Sequence, residues 1–416
     1  MTGSGGIFAG ENPIKPENAI SLLMILVVIF MTRLLSVVLV RLKQPRVIAE
    51  VLTGIVLGPS VLGNWQWFSD NIFPEASMPV LKAFSEFGLI FFMFLVGLEL
   101  DTKLMKAHMK ESLIISATGI IFPFLLSIVA SIVLYKQFSS DDVPFTSFLL
   151  FIGVSMSITA FPVLARILSD RHLLSTKVGM TAISAAAVGD AASWVFLALV
   201  ISIVNSSSSP VTCVYILITG LAFAIFMMTV VKKIVNKLME LSSTREDLNV
   251  FMIFITFALI LASSWFTEAL GIHSIFGAFL TGLIIPNESG FAIKLTEKIE
   301  DIISVLFVPL YFAYSGLQTK LSALNSWSVW GMLFLVIAMA CFGKIFFSAV
   351  AARFCKLTWR ESIVLGILMN TKGLVELIVL NIGREAGVID ERVFAIMVIM
   401  AIVTTLITTP AVAALY

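Results

Sequence analysis

The sequence predicts an all-α, polytopic membrane protein of about thirteen transmembrane helices in inverted repeats, and three observations carry that prediction. Of 416 residues, 59% are hydrophobic and only 13% charged, and the mean hydropathy is +1.04; soluble domains carry about 25% charged residues. The apolar residues gather into thirteen runs of spanning length, near 19–40, 47–63, 80–99, 112–135, 145–168, 178–204, 211–231, 250–267, 271–286, 302–317, 327–352, 362–383 and 393–415. Two of these runs, the fifth and the twelfth, are interrupted at mid-span by small, polar or helix-breaking residues. They lie seven runs apart, and an odd separation gives them opposite orientations in the bilayer.

Taken in order, the first run follows a polar, glycine-rich stretch, so no cleavable signal peptide is expected. The second carries Glu50 and the third ends on Glu99, both near the ends of their spans. Each suits a funnel that draws cations toward a vestibule, or a solvated helix end. The fifth run reads FIGVSMSITAFPVLARIL and breaks over Ser157–Pro162. Pro162 cannot donate to the helical ladder, so carbonyls ahead of it are freed to meet a cation, and Thr159 and Ser157 add hydroxyl oxygens. A plain proline kink is the alternative.

The sixth run carries Asp190. Counted from Lys177 at roughly 1.5 Å per residue, it lies about 20 Å along the helix, deep in a hydrocarbon layer about 30 Å thick. A carboxylate there costs several kcal/mol and normally has a function. Because burial penalises its charged form, a proton and a monovalent cation compete for it. In the ninth run, His273 suits a hydrogen-bonded packing residue better than a pH sensor. The eleventh run holds Lys344 about half a helix from either interface, placed to hold broken-helix carbonyls, to balance an acid, or to snorkel. The twelfth run breaks over Asn370–Gly373 (NTKG), with Lys372 inside the break and Glu376 just beyond it. On the same offset of seven the Asp190 run corresponds to the thirteenth and the fourth to the Lys344 run. Paired broken helices in inverted halves point to a transport site at the midplane.

Composition excludes several function classes. A net charge of +1 argues against a nucleic-acid partner. Cys213, Cys341 and Cys355 form no spaced metal or redox pattern. With three histidines, no HExxH and no phosphate-cradling glycine loop, no enzyme, cofactor or resident metal is expected, only a transported ion. With the N-terminus outside, eighteen Lys and Arg fall in inside loops and six outside, so the positive-inside rule orients the chain N-out, C-in.

The segments QPRVIAEVLTGIVLGPSVLG, LIFFMFLVGLELD, SITAFPVLARIL, AISAAAVGDAASW, IHSIFGAFLTGLIIP, FVPLYFAYSGLQT and NTKGLVELIVLNIG together resemble the monovalent cation:proton antiporter-2 family. They are most like its plant cation/H⁺ exchangers and the yeast Kha-type K⁺/H⁺ antiporter. The resemblance implies a sodium/proton antiporter-like fold with two crossed discontinuous helices, a homodimer, and elevator-type alternating access. The transmembrane domain then spans 1–416, with a core of roughly 80–204 and 327–416 and a dimerisation scaffold of roughly 19–63 and 211–317. It also implies an ion- and proton-binding carboxylate at Asp190, unwound-helix residues at Thr159 and Pro162, a core lysine at Lys344, and a functional acid at Glu99. One departure stands out: relatives have Asn, Gln or Asp where this chain has Gly189. With a single acid, one-for-one electroneutral K⁺/H⁺ exchange is expected. A Na⁺/H⁺ antiporter of the same mechanism, or a cation channel, is the alternative. Relatives sit in endosomal, Golgi, vacuolar or plasma membranes, and many continue into a soluble regulatory domain that is not expected within residues 1–416.

Overall fold

A computed structural model of the chain describes residues 17–416 apart from 42–43, 45, 100–108, 139–142, 171–172, 174–175, 206–209, 243–247, 287–289, 325 and 416. Of the Lys and Arg counted for the orientation, Lys15, Lys43, Lys103, Lys106, Arg171 and Arg245 lie outside the described residues. Among the described residues the regular structure is helical, with no strand. The first four runs are α1 (Glu17–Arg41), α2 (Arg46–Leu57) with the short α3 (Gln66–Ile72) after it, α4 (Met78–Glu99) and α5 (Met109–Phe138). The fifth is split into α6 (Phe145–Ser157) and α7 (Phe161–Asp170), and the sixth is α8 (Lys177–Asn205). A π turn, Met227–Val231, joins α9 (Pro210–Phe226) to α10 (Lys232–Ser242). Next come α11 (Leu248–Ala269) and α12 (Ile275–Ile284), then α13 (Phe291–Ile302) and α14 (Val308–Leu317) around a second π turn. A third π turn, Phe342–Phe346, joins α15 (Trp327–Cys341) to α16 (Phe347–Phe354). The chain closes with the split pair α17 (Trp359–Met369) and α18 (Leu374–Glu385), and then α19 (Glu391–Leu415).

Every expected run contains helix. Nine helices among the described residues are long and apolar enough to cross a membrane; the remaining four runs are α2, α12 and the two split pairs. Where boundaries differ from expectation, the cause is local. The second run ends at Leu57 because Gly58 and Pro59 follow, and a proline ring cannot continue a helix. The tenth was expected to start near 302, but its helix begins at Phe291. Lys294, Glu297, Lys298 and Glu300 are exposed while Phe291, Ala292 and Leu295 are buried, so an amphipathic first half hides from hydropathy.

Contacts divide the chain into two compact units, Met1–Phe92 with Ile299–Ala323, and Met93–Lys298 with Leu324–Tyr416. In the first, Met24, Val28, Leu57, Leu81, Leu310 and Ala313 form a core where α1, α2, the start of α4 and α14 meet. Gly54 and Gly316 set the α2–α14 crossing: a Cβ on Gly54 would lie 2.0 Å from the Ala313 carbonyl oxygen, and one on Gly316 2.3 Å from that of Val51. In the second unit, α4 and α12 cross in the same way at Gly97 and Gly282, with Cβ positions 2.3 and 2.2 Å from the Phe279 and Phe94 carbonyls. The two crossings are repeat-related. Leu52-Thr53-Gly54 matches Leu280-Thr281-Gly282, and Gly97-Leu98 matches Gly316-Leu317. Thr53 and Thr281 each donate to the carbonyl four residues back at 2.8 Å. Run 2 pairs with run 10 as run 9 pairs with run 3, which is the exchange an inverted repeat with an offset of seven requires.

Candidate functional site

The candidate site lies in the second unit, where the two broken helices meet. α6 ends at Ser157; Ile158 turns extended (φ −69°, ψ 143°) and α7 restarts at Phe161. The break therefore falls on Ile158–Ala160. Pro162 is the second residue of α7, in a first turn where its missing N–H forfeits no helical bond. α17 ends at Met369, and the chain unwinds through Asn370 and Thr371 to Gly373, which caps α18. The breaks bond to each other: the Ala160 N–H donates to the Thr371 carbonyl at 3.0 Å, and Thr159 Oγ1 donates to the Met369 carbonyl at 2.8 Å. Gly373 permits this approach, since a Cβ there would lie 2.7 Å from Val163 Cγ2 and 3.1 Å from Ala160 Cβ.

An unwound helix end in hydrocarbon leaves carbonyls that must be satisfied. At the end of α6 two buried lysines take them. Lys372 Nζ donates to the carbonyls of Ser155 (2.7 Å) and Met156 (2.8 Å). Lys344 Nζ donates to the Ser157 carbonyl and, at 2.7 Å, to Thr159 Oγ1. Two cations thus sit at the negative end of the α6 dipole. The carbonyls that the sequence offers to a transported cation are already engaged by lysine ammoniums.

The acids occupy the opposite, positive helix ends. Glu376 stands in the first turn of α18, 3.7 Å from Lys372 Nζ, and accepts from Ser155 Oγ at 3.1 Å. Thr405 of α19 fixes the break by donating to the Lys372 carbonyl (2.8 Å) and accepting its N–H (3.0 Å). Asp190 lies midway along α8, 2% exposed, at the start of α7, where the Phe161 amide faces its carboxylate without reaching hydrogen-bond geometry. Lys344 is near enough to act on Asp190 electrostatically, but among the described residues it forms no ion pair. Neither oxygen of Asp190 has a hydrogen-bond partner among the described residues. Lys344 rides on the π turn Phe342–Phe346, a helix irregularity common at functional sites.

Ser157, Thr159, Lys344, Asn370, Lys372 and Glu376 therefore converge, all at most 3% exposed. Ser157 Oγ is turned back to the Gly153 carbonyl (2.6 Å), and Asn370 Nδ2 reaches Cys341 Sγ at 3.5 Å. Glu50 is buried on α2, in the first unit. The side chains of Glu99, Pro162 and Arg166 lie outside the described residues. His273 Nδ1 lies 3.4 Å from Ser274 Oγ. Sequence reasoning passed over Ser155, Thr405 and Ser116. A signal for Thr405 was present, because Thr404, Thr405, Thr408 and Thr409 interrupt an apolar run and all four are buried. Ser116 on α5 donates to the Ala185 carbonyl at 3.0 Å, and a Cβ on Gly189 would lie 2.9 Å from its hydroxyl. The space beside residue 189 is thus filled by a neighbouring hydroxyl.

A family model described as sodium/hydrogen exchanger, transmembrane, matches residues 25–415. Cation/H(+) antiporter 17 of Arabidopsis thaliana is 47% identical over 99% of this chain and 50% of its own length. K(+)/H(+) antiporter 1 of Saccharomyces cerevisiae is 35% identical over 98% of this chain and 48% of its length. The chain spans about half the length of these relatives. Na(+)/H(+) antiporter NhaS4 of Synechocystis is 39% identical over 94% of this chain and 96% of its own length. Among solved structures, the sodium proton antiporter MjNhaP1 of Methanocaldococcus jannaschii superposes with a TM-score of 0.67 over 96% of this chain and 97% of that one, at 17% identity. That likeness shows a shared fold.

Proposed function

The chain belongs to the sodium/hydrogen exchanger transmembrane family, a family of transporters rather than enzymes, and from that premise we propose that it exchanges a monovalent cation for a proton at Asp190. The observation that carries the proposal is a mid-membrane carboxylate, 2% exposed and without a hydrogen-bond partner among the described residues, close to a helix N-terminus and within electrostatic reach of a buried ammonium. Such a group is costly unless it binds something. A proton and a monovalent cation each neutralise it, so only one occupies it at a time.

Electroneutrality follows from the charge count. Lys344, Lys372, Glu376 and Asp190 in their charged forms sum to zero, and either ligand raises that sum by one. Both loaded forms carry the same charge, so one-for-one exchange moves no net charge. Lys344, Lys372, Asn370 and Glu376 support the crossed break. Thr159, with Ser157 and Pro162 beside it, lines the ion's position. Glu50 and Glu99 act as a cation funnel.

Potassium is the proposed cation, supported by the yeast relative named a K⁺/H⁺ antiporter; the Synechocystis relative's name keeps sodium as the second reading. We further propose elevator-type alternating access, in which residues 80–204 and 327–416 carry the ion while 19–63 and 211–317 serve as scaffold. The proposal extends to a homodimer with its N-terminus outside or lumenal, in an endomembrane or the plasma membrane. The test uses liposomes loaded with a pH-sensitive dye, to which K⁺, Na⁺ or choline is added. K⁺-driven proton efflux, unchanged when the membrane potential is clamped and lost in Asp190→Asn, is expected. Cation current without proton movement would make the protein a channel.

A further inference from the structure

Lys344 is not fully provided for. An ammonium has three N–H donors, and among the described residues Lys344 uses two, on the Ser157 carbonyl and Thr159 Oγ1. On its α5 side lies Gly119: a Cβ built there would be 3.9 Å from Lys344 Nζ and 3.0 Å from Ser348 Oγ. Ser348 is 0% exposed, and its hydroxyl has no hydrogen-bond partner among the described residues. Four residues along α5 stands Pro123, inside the helix. A proline there has no N–H to return to the Gly119 carbonyl, so that carbonyl is left without its helical partner. A charged donor and an unpartnered hydroxyl therefore flank Gly119, whose own carbonyl lacks its helical donor. Buried polar groups in hydrocarbon must be satisfied, and one water with two to four polar partners is the usual means.

We propose that Gly119, Ser348 and Lys344 form a binding site for a single ordered water, which holds the third Lys344 N–H and keeps the ammonium seated on Ser157 and Thr159 while Asp190 changes its occupant. Gly119 and Ser348 are then positioning residues, acting through Lys344. Met369 Cε, at the end of α17, also lies 3.9 Å from the Cβ position at Gly119, and the inference rests on the exchange reading above.

The site can be tested by chemistry rather than size. Gly119→Ala places a methyl 3.0 Å from the Ser348 hydroxyl, intruding on the space between it and Lys344 that the water would use, and Gly119→Ser, which carries the same Cβ, controls for that contact. Gly119→Ser is bulkier but returns a hydroxyl to the same position. We expect Gly119→Ala to lower kcat/KM for cation-driven proton efflux about 10-fold, which corresponds to roughly 1.4 kcal/mol, one hydrogen bond to a buried charge. Gly119→Ser should recover most of that, and Ser348→Ala should lose part of it. Thermal midpoints in detergent should be alike for Gly119→Ala and Gly119→Ser, which share the contact of their Cβ with Ser348. If Gly119→Ser is as impaired as Gly119→Ala or worse, the glycine serves only close packing and the water site is refuted. Full activity of Gly119→Ala refutes it as well. Asp190→Asn in the same liposomes separates the two readings, since its loss of efflux upholds the exchange site whatever the Gly119 variants do.

Discussion

Removing the Lys372 ammonium, as in Lys372→Met, should damage the protein more than removing it together with its partner acid. Lys372 and Glu376 are 3.7 Å apart with both side chains 0% exposed. At that distance and an effective dielectric of ~20, their attraction is roughly 4 kcal/mol. The single substitution leaves Glu376 buried with only the Ser155 hydroxyl, and it strips two carbonyls at the end of α6 of their donors. Breaking a buried pair from one side typically costs about 3–5 kcal/mol. In Lys372→Met with Glu376→Gln the carbonyls remain bare but no charge is stranded, so the loss should fall to about 1–2 kcal/mol. The double variant of this cycle should therefore be roughly 2–3 kcal/mol more stable than Lys372→Met alone. Reversible unfolding in mixed micelles, followed by circular dichroism, measures all four corners. Additive losses, or a double variant less stable than Lys372→Met, would refute the electrostatic reasoning.

Three further outcomes are expected. Thr159→Ala removes both an acceptor for Lys344 and the donor to the Met369 carbonyl, so cation-driven proton efflux should fall at least 10-fold (about 1.4 kcal/mol or more) while Thr159→Ser stays near wild type in the liposome assay. Gly189→Ala should lower the thermal midpoint because its Cβ meets Ser116 Oγ at 2.9 Å; Ser116→Ala in the same chain should restore much of it, since among the described residues that hydroxyl is what the new methyl meets. Gly54→Ala should prevent accumulation of monodisperse protein by gel filtration, because the methyl lies 2.0 Å from a backbone oxygen that cannot move away without separating α2 from α14.

Much of this molecule was legible before any coordinates. Asp190, Lys344, Lys372 and Glu376 stand out because ionisable groups are rare inside apolar runs, so mid-span charges are themselves a signal. The two breaks were legible for a similar reason: Pro162 and the NTKG tetrapeptide disturb otherwise uniform runs. Direction was harder to read. Pro162 suggests freed carbonyls upstream, but it sits in the first turn of α7 and frees none; the carbonyls of Ser155–Ser157 are released by the extended Ile158–Ala160, and only tertiary contact reveals that Lys344 and Lys372 reach them from other helices. The inverted repeat was visible as spacing rather than identity, because an offset of seven runs preserves only a few positions. Thr53-Gly54 and Thr281-Gly282 are among them, since helices crossing backbone to backbone admit no larger residue. The π turn beneath Lys344 has no sequence mark, as it inserts a residue without a change in composition.

The central claim is that one carboxylate trades a proton for a cation, and proton release on cation binding tests it most directly. K⁺ added to weakly buffered, detergent-solubilised protein carrying a pH indicator should release close to one proton per chain, with choline inert and Asp190→Asn silent. Release that persists undiminished in Asp190→Asn, or K⁺ binding to the wild type with no proton released, would contradict the account.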